Sequence, residues 1–488
     1  MLIDWVAIAP EIALAVTALI ILAADLALRG DAKQLVNPIA ALGTVVAIGL
    51  TINLWGDSRE TFAGQFVIDD YAVVFKLLFL GSLLAILGIS WRFFAEGRYF
   101  QGEYYFLLLT AFIGMIIMPS SRDLLLLFVA LETVSIPAFV MAGLRKRDLY
   151  SSEAALKFFL IGVLSVALML FGMSMVYGFT GTTDLVGIAE ALAAGDVSAP
   201  LLLASVMLVF VGFGFKISAV PFHFWAPDTY AGSPMPVAAM LAVASKAAGF
   251  AGLIAVAFIA FEPLADVWAP MLGVLAILTM TVGNLIALQQ RDLIRLLAYS
   301  SVAQAGYMLI PFGLAQSGAL EVNDSAIQAV LFYLVAYAVM NIGAFGVAIA
   351  VNRRTGIRAL REYAGLSQRS PLMAMGLTVF LLSLGGAPPT VGLWAKLEIL
   401  RAVTVDVTGF GLVMAAFLVI NSVIAFFYYL KVIRTMWMDE SPVGLPTLQP
   451  GFNLSAVVIV LMFGTVLLGV LPGLVTDYTS LSSLVASG

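Results

Sequence analysis

Lys216, Lys246 and Lys396 each stand in a stretch of apolar residues, and Glu132 stands in another, DLLLLFVALETVSIPAFVMAGL. An amine and a carboxylate withdrawn from water share one chemistry, the holding and passing of a proton. Burial disfavours the charged form of either group and a nearby opposite charge restores it. A change in the separation of Glu132 and Lys216 would therefore switch the lysine between keeping and releasing its proton, the two titrating as a coupled pair. Lys246 lies about ten residues from either end of its apolar run, too deep for its ammonium to snorkel to water.

Other residues read two ways. Lys157 follows Glu153 by one helical turn, a spacing that suits a surface ion pair as well as a relay step. His223, the only histidine, sits in PFHFWAP and either shuttles protons or orients the chain by hydrogen bonding. Lys76 is expected to snorkel outward or to pair with Asp69 or Asp70, and Glu11 and Asp25 to be interfacial. Asp228 falls in a prolyl link. Glu398, two residues after Lys396, points from a different helix face and is the weaker carboxylate.

The elements that position these groups are membrane helices. Hydrophobic residues make up 62% and charged residues 11% of the 488 positions, with a mean hydropathy of +1.06. Soluble domains carry roughly 25% charge, so the chain is an all-α polytopic membrane protein. With no cysteine and one histidine it has no ligand set for an iron–sulfur cluster and too few ligands for haem or zinc, so neither cofactor nor metal is expected in it. No nucleotide-binding loop is evident. The net charge of −5 points to no nucleic acid, and MLIDWVAIAP lacks the basic region and cleavage site of a signal peptide.

Apolar runs long enough to cross a bilayer fall near 7–28, 36–55, 71–92, 102–119, 123–144, 154–179, 200–220, 236–260, 267–288, 294–314, 325–351, 371–402, 410–437 and 452–473, fourteen in all. The seventh stops at Pro221, and the twelfth contains Pro388–Pro389 and is too long for one rod, so both are expected to be broken helices with an unwound turn. With the N-terminus outside, sixteen basic residues fall in inward loops, Arg98, Lys146 and Arg147 among them, and three (Arg59, Arg122 and Arg401) in outward loops. That asymmetry supports both termini on the outer side. Pro, a short gap and Trp-Ala recur after each break, at Trp225–Ala226 and Trp394–Ala395. Two broken helices five spans apart fit two five-helix repeats, spans 4–8 and 9–13, inverted because each has an odd number of spans. The chain is then a single membrane domain, 1–488: a three-helix part (1–101), a first repeat (102–260), a second repeat (267–437) and a last helix (452–473).

The stretches FKISAVPFHFWAPDTYAGSPMPVAAMLAVASK and NLIALQQRDLIRLLAYSSVAQAGYML resemble the antiporter-like membrane subunits of respiratory complex I, which are related to subunits of multisubunit cation/proton antiporters. The resemblance covers spans 4 to 13. A lysine on the twelfth span and the lack of a long lateral helix after Gly488 match one kind of these subunits. The resemblance implies proton translocation driven by NADH oxidation and quinone reduction in partner subunits, which would hold the NAD, FMN, iron–sulfur and quinone sites. It implies neighbouring antiporter-like subunits as partners and a bacterial cytoplasmic (inner) membrane as location. It implies that Glu132 modulates Lys216, that Lys246 connects, and that Lys396 is the terminal lysine near the outer exit. Gln304 stands where related subunits often carry histidine, so a relay there would need water or Tyr299 and Tyr307. Two other readings are a cation/proton antiporter subunit that needs no redox partner and a structural subunit with inert buried charges; four ionisable residues at depth argue against the second.

Overall fold

A computed structural model describes residues 3–96, 101–145, 148–195, 200–355, 358–442 and 447–479; Arg98, Lys146, Arg147 and Gly488 lie outside the described residues. Among the described residues, thirteen helices are long and apolar enough to cross a membrane: Ala9–Ala27, Ala32–Ile52, Asp70–Phe94, Gly102–Ser120, Leu124–Ala142, Leu149–Thr180, Pro200–Ile217, Met235–Ala260, Glu262–Leu288, Leu293–Leu314, Leu320–Arg353, Gly409–Met438 and Phe452–Val470. They are the first to eleventh, thirteenth and fourteenth spans. The twelfth is two shorter helices, Pro371–Gly385 and Val391–Val405, with the unwound stretch at 386–390. Val391 already begins the second of them.

Aspartates start several of these helices by accepting orphan backbone N–H groups, the bonds that free helix N-termini need. Asp123 takes Leu125 N at 2.8 Å and Leu126 N at 3.1 Å, Asp148 takes Tyr150 N at 3.0 Å, and Asp292 takes Arg295 N at 3.0 Å. The fifth and tenth spans open alike. Leu124 N donates to Thr183 O (2.8 Å) and Leu185 N to Arg122 O (2.9 Å), pairing the start of the fifth span with the segment after the sixth. Leu293 N donates to Arg358 O (3.0 Å) and Leu360 N to Arg291 O (2.8 Å), pairing the start of the tenth with the segment after the eleventh.

The eighth, tenth and eleventh spans are almost wholly enclosed, whereas the first, second, sixth, thirteenth and fourteenth keep broad apolar faces outward. In a bilayer the enclosed helices are the ones that can carry polar groups. The eighth span is not a plain α-helix: π-helical turns interrupt it at Leu241–Ser245, ending where Lys246 begins, and at Val256–Ala260. Three features have no counterpart in the sequence reading. They are these π turns, a helix at Leu185–Ala194, and a two-stranded antiparallel hairpin, β1 (Arg59–Thr61) and β2 (Phe66–Ile68). Arg59 fastens that hairpin to the N-terminus through Asp4 (3.1 Å). The Arg59 guanidinium beside Asp4 holds its carboxyl below the usual carboxylate range.

Candidate functional site: buried lysines at interrupted helices

The seventh span ends at Ile217 because Ser218 takes a left-handed φ of 62° and the chain turns through Val220–Pro221, a cis bond, into the short helix Trp225–Gly232. Ala219 N bonds back to Gly214 O at 2.8 Å, and Trp225 Nε1 to Phe215 O at 3.1 Å, so carbonyls freed by the break are satisfied from below. Lys216 is the last residue but one of this helix, 3% exposed, and its Nζ donates to Ser135 Oγ at 3.0 Å. Ser135 stands on the fifth span one turn after Glu132. Glu132 is half-buried, within electrostatic reach of Lys216, and makes no ion pair with it; one carboxylate oxygen has no partner among the described residues. The lysine and carboxylate expected to pair are thus brought together, with Ser135 holding the ammonium.

Lys246 follows the first π turn of the eighth span. Its Nζ donates to Ser301 O at 2.6 Å and to Ser301 Oγ at 3.0 Å, on the tenth span, with Tyr230 and Tyr337 beside Ser301. A π turn displaces one residue from the helical ladder and occurs often at functional positions. Lys396 lies after the second break. Its Nζ donates to Gly385 O at 2.6 Å and sits 5.2 Å from the centroid of the Tyr307 ring. Gly385 ends its helix, where the carbonyls carry the negative end of the dipole, so a helix C-terminus stands in for an anion. Lys216 precedes its break and Lys396 follows its own; the Trp-Ala echo does not make the two lysines equivalent.

Close packing keeps the second break closed. A Cβ on Gly392 would lie 1.8 Å from Ser383 O, and Gly392 N donates to Ser383 Oγ at 3.1 Å. Backbone cannot yield as a side-chain tip can, so Gly392→Ala is expected to cost at least the upper part of the roughly 1–3 kcal/mol typical of overpacking. The detergent-extracted protein should then be recovered in smaller amount and melt lower; unchanged recovery and thermal stability would count against the closed geometry.

The secondary candidates separate. Lys157 pairs with Glu153 (2.7 Å) and also with Asp228 (2.7 Å), which in turn takes Arg295 (2.7 Å). These groups, with Tyr150, Asp292 and Arg358, line an open cleft of about 350 Å³ against the Trp225–Gly232 helix. His223 is buried, packs on the Phe224 ring at 4.6 Å, and has no partner for Nδ1 among the described residues. Ser218 Oγ, Thr229 Oγ1 and Ser233 Oγ are buried around the same link, likewise without a hydrogen-bond partner among the described residues. Buried polar atoms of this kind are where structural water binds. Glu398 pairs with Arg401 at 3.5 Å, and Asp25 with Lys33 at 2.9 Å.

Two expectations are corrected. Lys76 neither snorkels nor pairs with Asp69 or Asp70. It is fully buried, bonded to Glu11 at 2.5 Å, with its Nζ 4.8 Å from the centre of the Phe66 ring, while Asp69 is taken by Arg122. Glu11, 7% exposed, is therefore a core residue and not an interfacial one. The reason is the hairpin and first helix, which close over the third span and leave the two charges only each other. Gln304 bonds Leu384 O, Tyr333 and Tyr429, while Tyr307 bonds Asn284 and Tyr299 lies partly buried near Arg295 and Asp228. Among the described residues no three His, Cys, Asp or Glu side chains are grouped to hold a metal ion.

Residues 121–425 match the family model described as "NADH:quinone oxidoreductase/Mrp antiporter, TM". The chain is 44% identical over 458 residues to NADH-quinone oxidoreductase subunit N 2 of Streptomyces griseus, covering 91% of this chain and 84% of that protein. It is 38% identical over 493 residues to NADH-quinone oxidoreductase subunit N of Brevibacillus brevis, covering 97% and 94%. Among solved structures it is similar to a chain of respiratory complex I from Thermus thermophilus with bound aureothin, with a TM-score of 0.79 and 32% identity over 96% of this chain and 98% of that one.

Proposed function

The chain belongs to the NADH:quinone oxidoreductase/Mrp antiporter family of membrane subunits, and on that premise we propose that it moves protons through Lys216, Lys246 and Lys396 within an NADH–quinone oxidoreductase. It is an antiporter-like, membrane-spanning subunit of the kind named subunit N in its relatives. NADH oxidation and quinone reduction take place in partner subunits, which hold the NAD, FMN, iron–sulfur clusters and quinone. The complex sits in a bacterial cytoplasmic membrane, beside other antiporter-like subunits.

One observation carries this reading. Three buried ammonium groups each lie at or beside an interruption of helical order, and each is held by hydroxyls or carbonyls and not by a directly bound carboxylate. A lysine locked to a carboxylate is kept charged, whereas one held by neutral acceptors can gain and lose its proton. Glu132 then acts from a distance, biasing Lys216 as the separation changes. The matched pairings at the starts of the fifth and tenth spans support two inverted repeats, spans 4–8 and 9–13, and the excess of basic residues in the inward loops supports both termini on the outer side. Lys157, Glu153 and Asp228 form the mouth on the side of the inward loops.

The test is Lys216→Ala and Glu132→Ala in the assembled complex reconstituted in vesicles. Both are expected to lower proton pumping per NADH oxidised, and intact pumping in both sinks the relay assignment. Because the family model also spans the Mrp antiporters, sodium-dependent transport by the purified chain alone would favour a cation/proton antiporter subunit instead.

A further inference from the structure

Ser301 and Gln304 lie one turn apart on the enclosed tenth span, and between them they reach the acceptors of two lysines. Lys246 Nζ donates to Ser301 O at 2.6 Å. Gln304 is fully buried; its Nε2 donates to Leu384 O at 3.2 Å and to Tyr429 OH at 3.4 Å, and its Oε1 accepts from Tyr333 OH at 2.5 Å. Leu384 and Gly385 are the last residues of their helix, and Gly385 O is the acceptor of Lys396 at 2.6 Å. Holding one of two successive carbonyls at a helix end restricts the other, because the peptide planes between them are rigid.

We infer that Gln304 is a positioning residue that links the acceptor of Lys246 to the acceptor of Lys396 through one helical turn and one carboxamide. The inference rests on the relay reading above. A carboxamide carries no proton, so its part is geometric. Tyr333 fixes which way it faces, leaving both N–H groups for Leu384 O and Tyr429. The Tyr429 hydroxyl, accepting from Gln304, is then free to donate to Ser300 Oγ at 2.5 Å, next to Ser301. A bond from an ammonium is roughly twice as strong as one from a neutral amine. Loss of a proton from Lys246 therefore relaxes the pull on the Ser301 carbonyl, and the same turn carries Gln304 and the 384–385 carbonyls with it.

The experiment uses the complete oxidoreductase in vesicles. Gln304→Met keeps size and removes every hydrogen bond; the expected result is a lower ratio of protons pumped per NADH oxidised with uncoupled NADH oxidation unchanged. Gln304→Glu is the conservative arm. Protonated, its carboxyl donates to Leu384 O and accepts from Tyr333; ionised, it cannot donate. The groups that face it are Tyr333 and Tyr429, with Tyr307, Tyr337 and Tyr428 beyond and Lys246 and Lys396 at the two ends. Its ratio should approach the natural one at acid pH and fall as pH rises, a dependence that a packing role would not produce. A full ratio in Gln304→Met, or equal impairment of both variants at every pH, overturns the inference. Tyr333→Phe removes only the hydroxyl that orients the carboxamide and must lower the ratio too; a full ratio there overturns it even where the Gln304 variants fail to assemble. Lys216→Ala keeps the two readings apart, since loss of pumping there beside a normal Gln304→Met sinks only the role of Gln304.

Discussion

A complex carrying Lys246→Met is expected to assemble, to be at least as stable as the natural one, and to lose the proton throughput of this subunit. The opposite signs follow from one fact. Lys246 is 1% exposed and its ammonium is bonded to a single residue, Ser301, with no carboxylate against it. Placing an unpaired ammonium there costs several kcal/mol of desolvation. Methionine has nearly the same length and flexibility and no charge to desolvate, so the fold loses little and gains back that cost. The function loses its carrier. A positioned acid or base contributes on the order of 100- to 10,000-fold to a proton transfer, and a thioether cannot substitute. Proton uptake into vesicles measured per NADH oxidised, beside a thermal melt of the same preparation, reads both signs at once. A melt lowered together with pumping would make Lys246 a structural cation; a raised melt with full pumping would remove it from the relay.

The depth of Lys246 was legible in the sequence because an apolar run long enough to cross a bilayer leaves a lysine at its centre nowhere else to be. The breaks at Pro221 and Pro388–Pro389 were legible for a similar reason, proline having neither an amide to donate nor room for the preceding turn. What holds each ammonium was not legible. Ser135, Ser301 and Gly385 meet their lysines across 81, 55 and 11 residues, and two of those contacts use a backbone carbonyl, which every residue possesses. The π turn before Lys246 leaves no mark either, since Leu241–Ser245 is as apolar as any helix. Arg-Asp-Leu occurs at 122–124, 147–149 and 291–293, and the first and third of these segments make matching backbone pairings, so the tripeptide alone does not single them out. The pairings themselves locate equivalent points of the two halves better than the Trp-Ala echo does. Glu11 and Lys76 were misread because each lies near the end of its own helix, where water is the usual neighbour; only the hairpin folded over them, a tertiary feature, removes that water.

That pair supports the second large effect. Glu11→Leu alone leaves the Lys76 ammonium at 0% exposure with a ring as its remaining partner, and Lys76→Met alone leaves a carboxylate stranded beside a hairpin. Breaking a buried pair from either side costs about 3–5 kcal/mol, enough to reduce the amount of this subunit recovered in the complex. Removing both charges together is different, because apolar residues of similar volume need no desolvation and are often neutral or stabilising by about 1–4 kcal/mol relative to the pair. The double variant Glu11→Leu/Lys76→Met is therefore expected to recover the stability that each single variant loses. It should also pump at the natural ratio, since Glu11 holds Lys76 by direct contact, the arrangement that keeps a lysine charged. Thermal melting and subunit recovery of the three variants, with pumping measured on the double, check the pattern. Additive losses would mean that the charges serve the fold through other partners. A stable double variant that no longer pumps would make Lys76 a fourth member of the relay, lying outside both repeats.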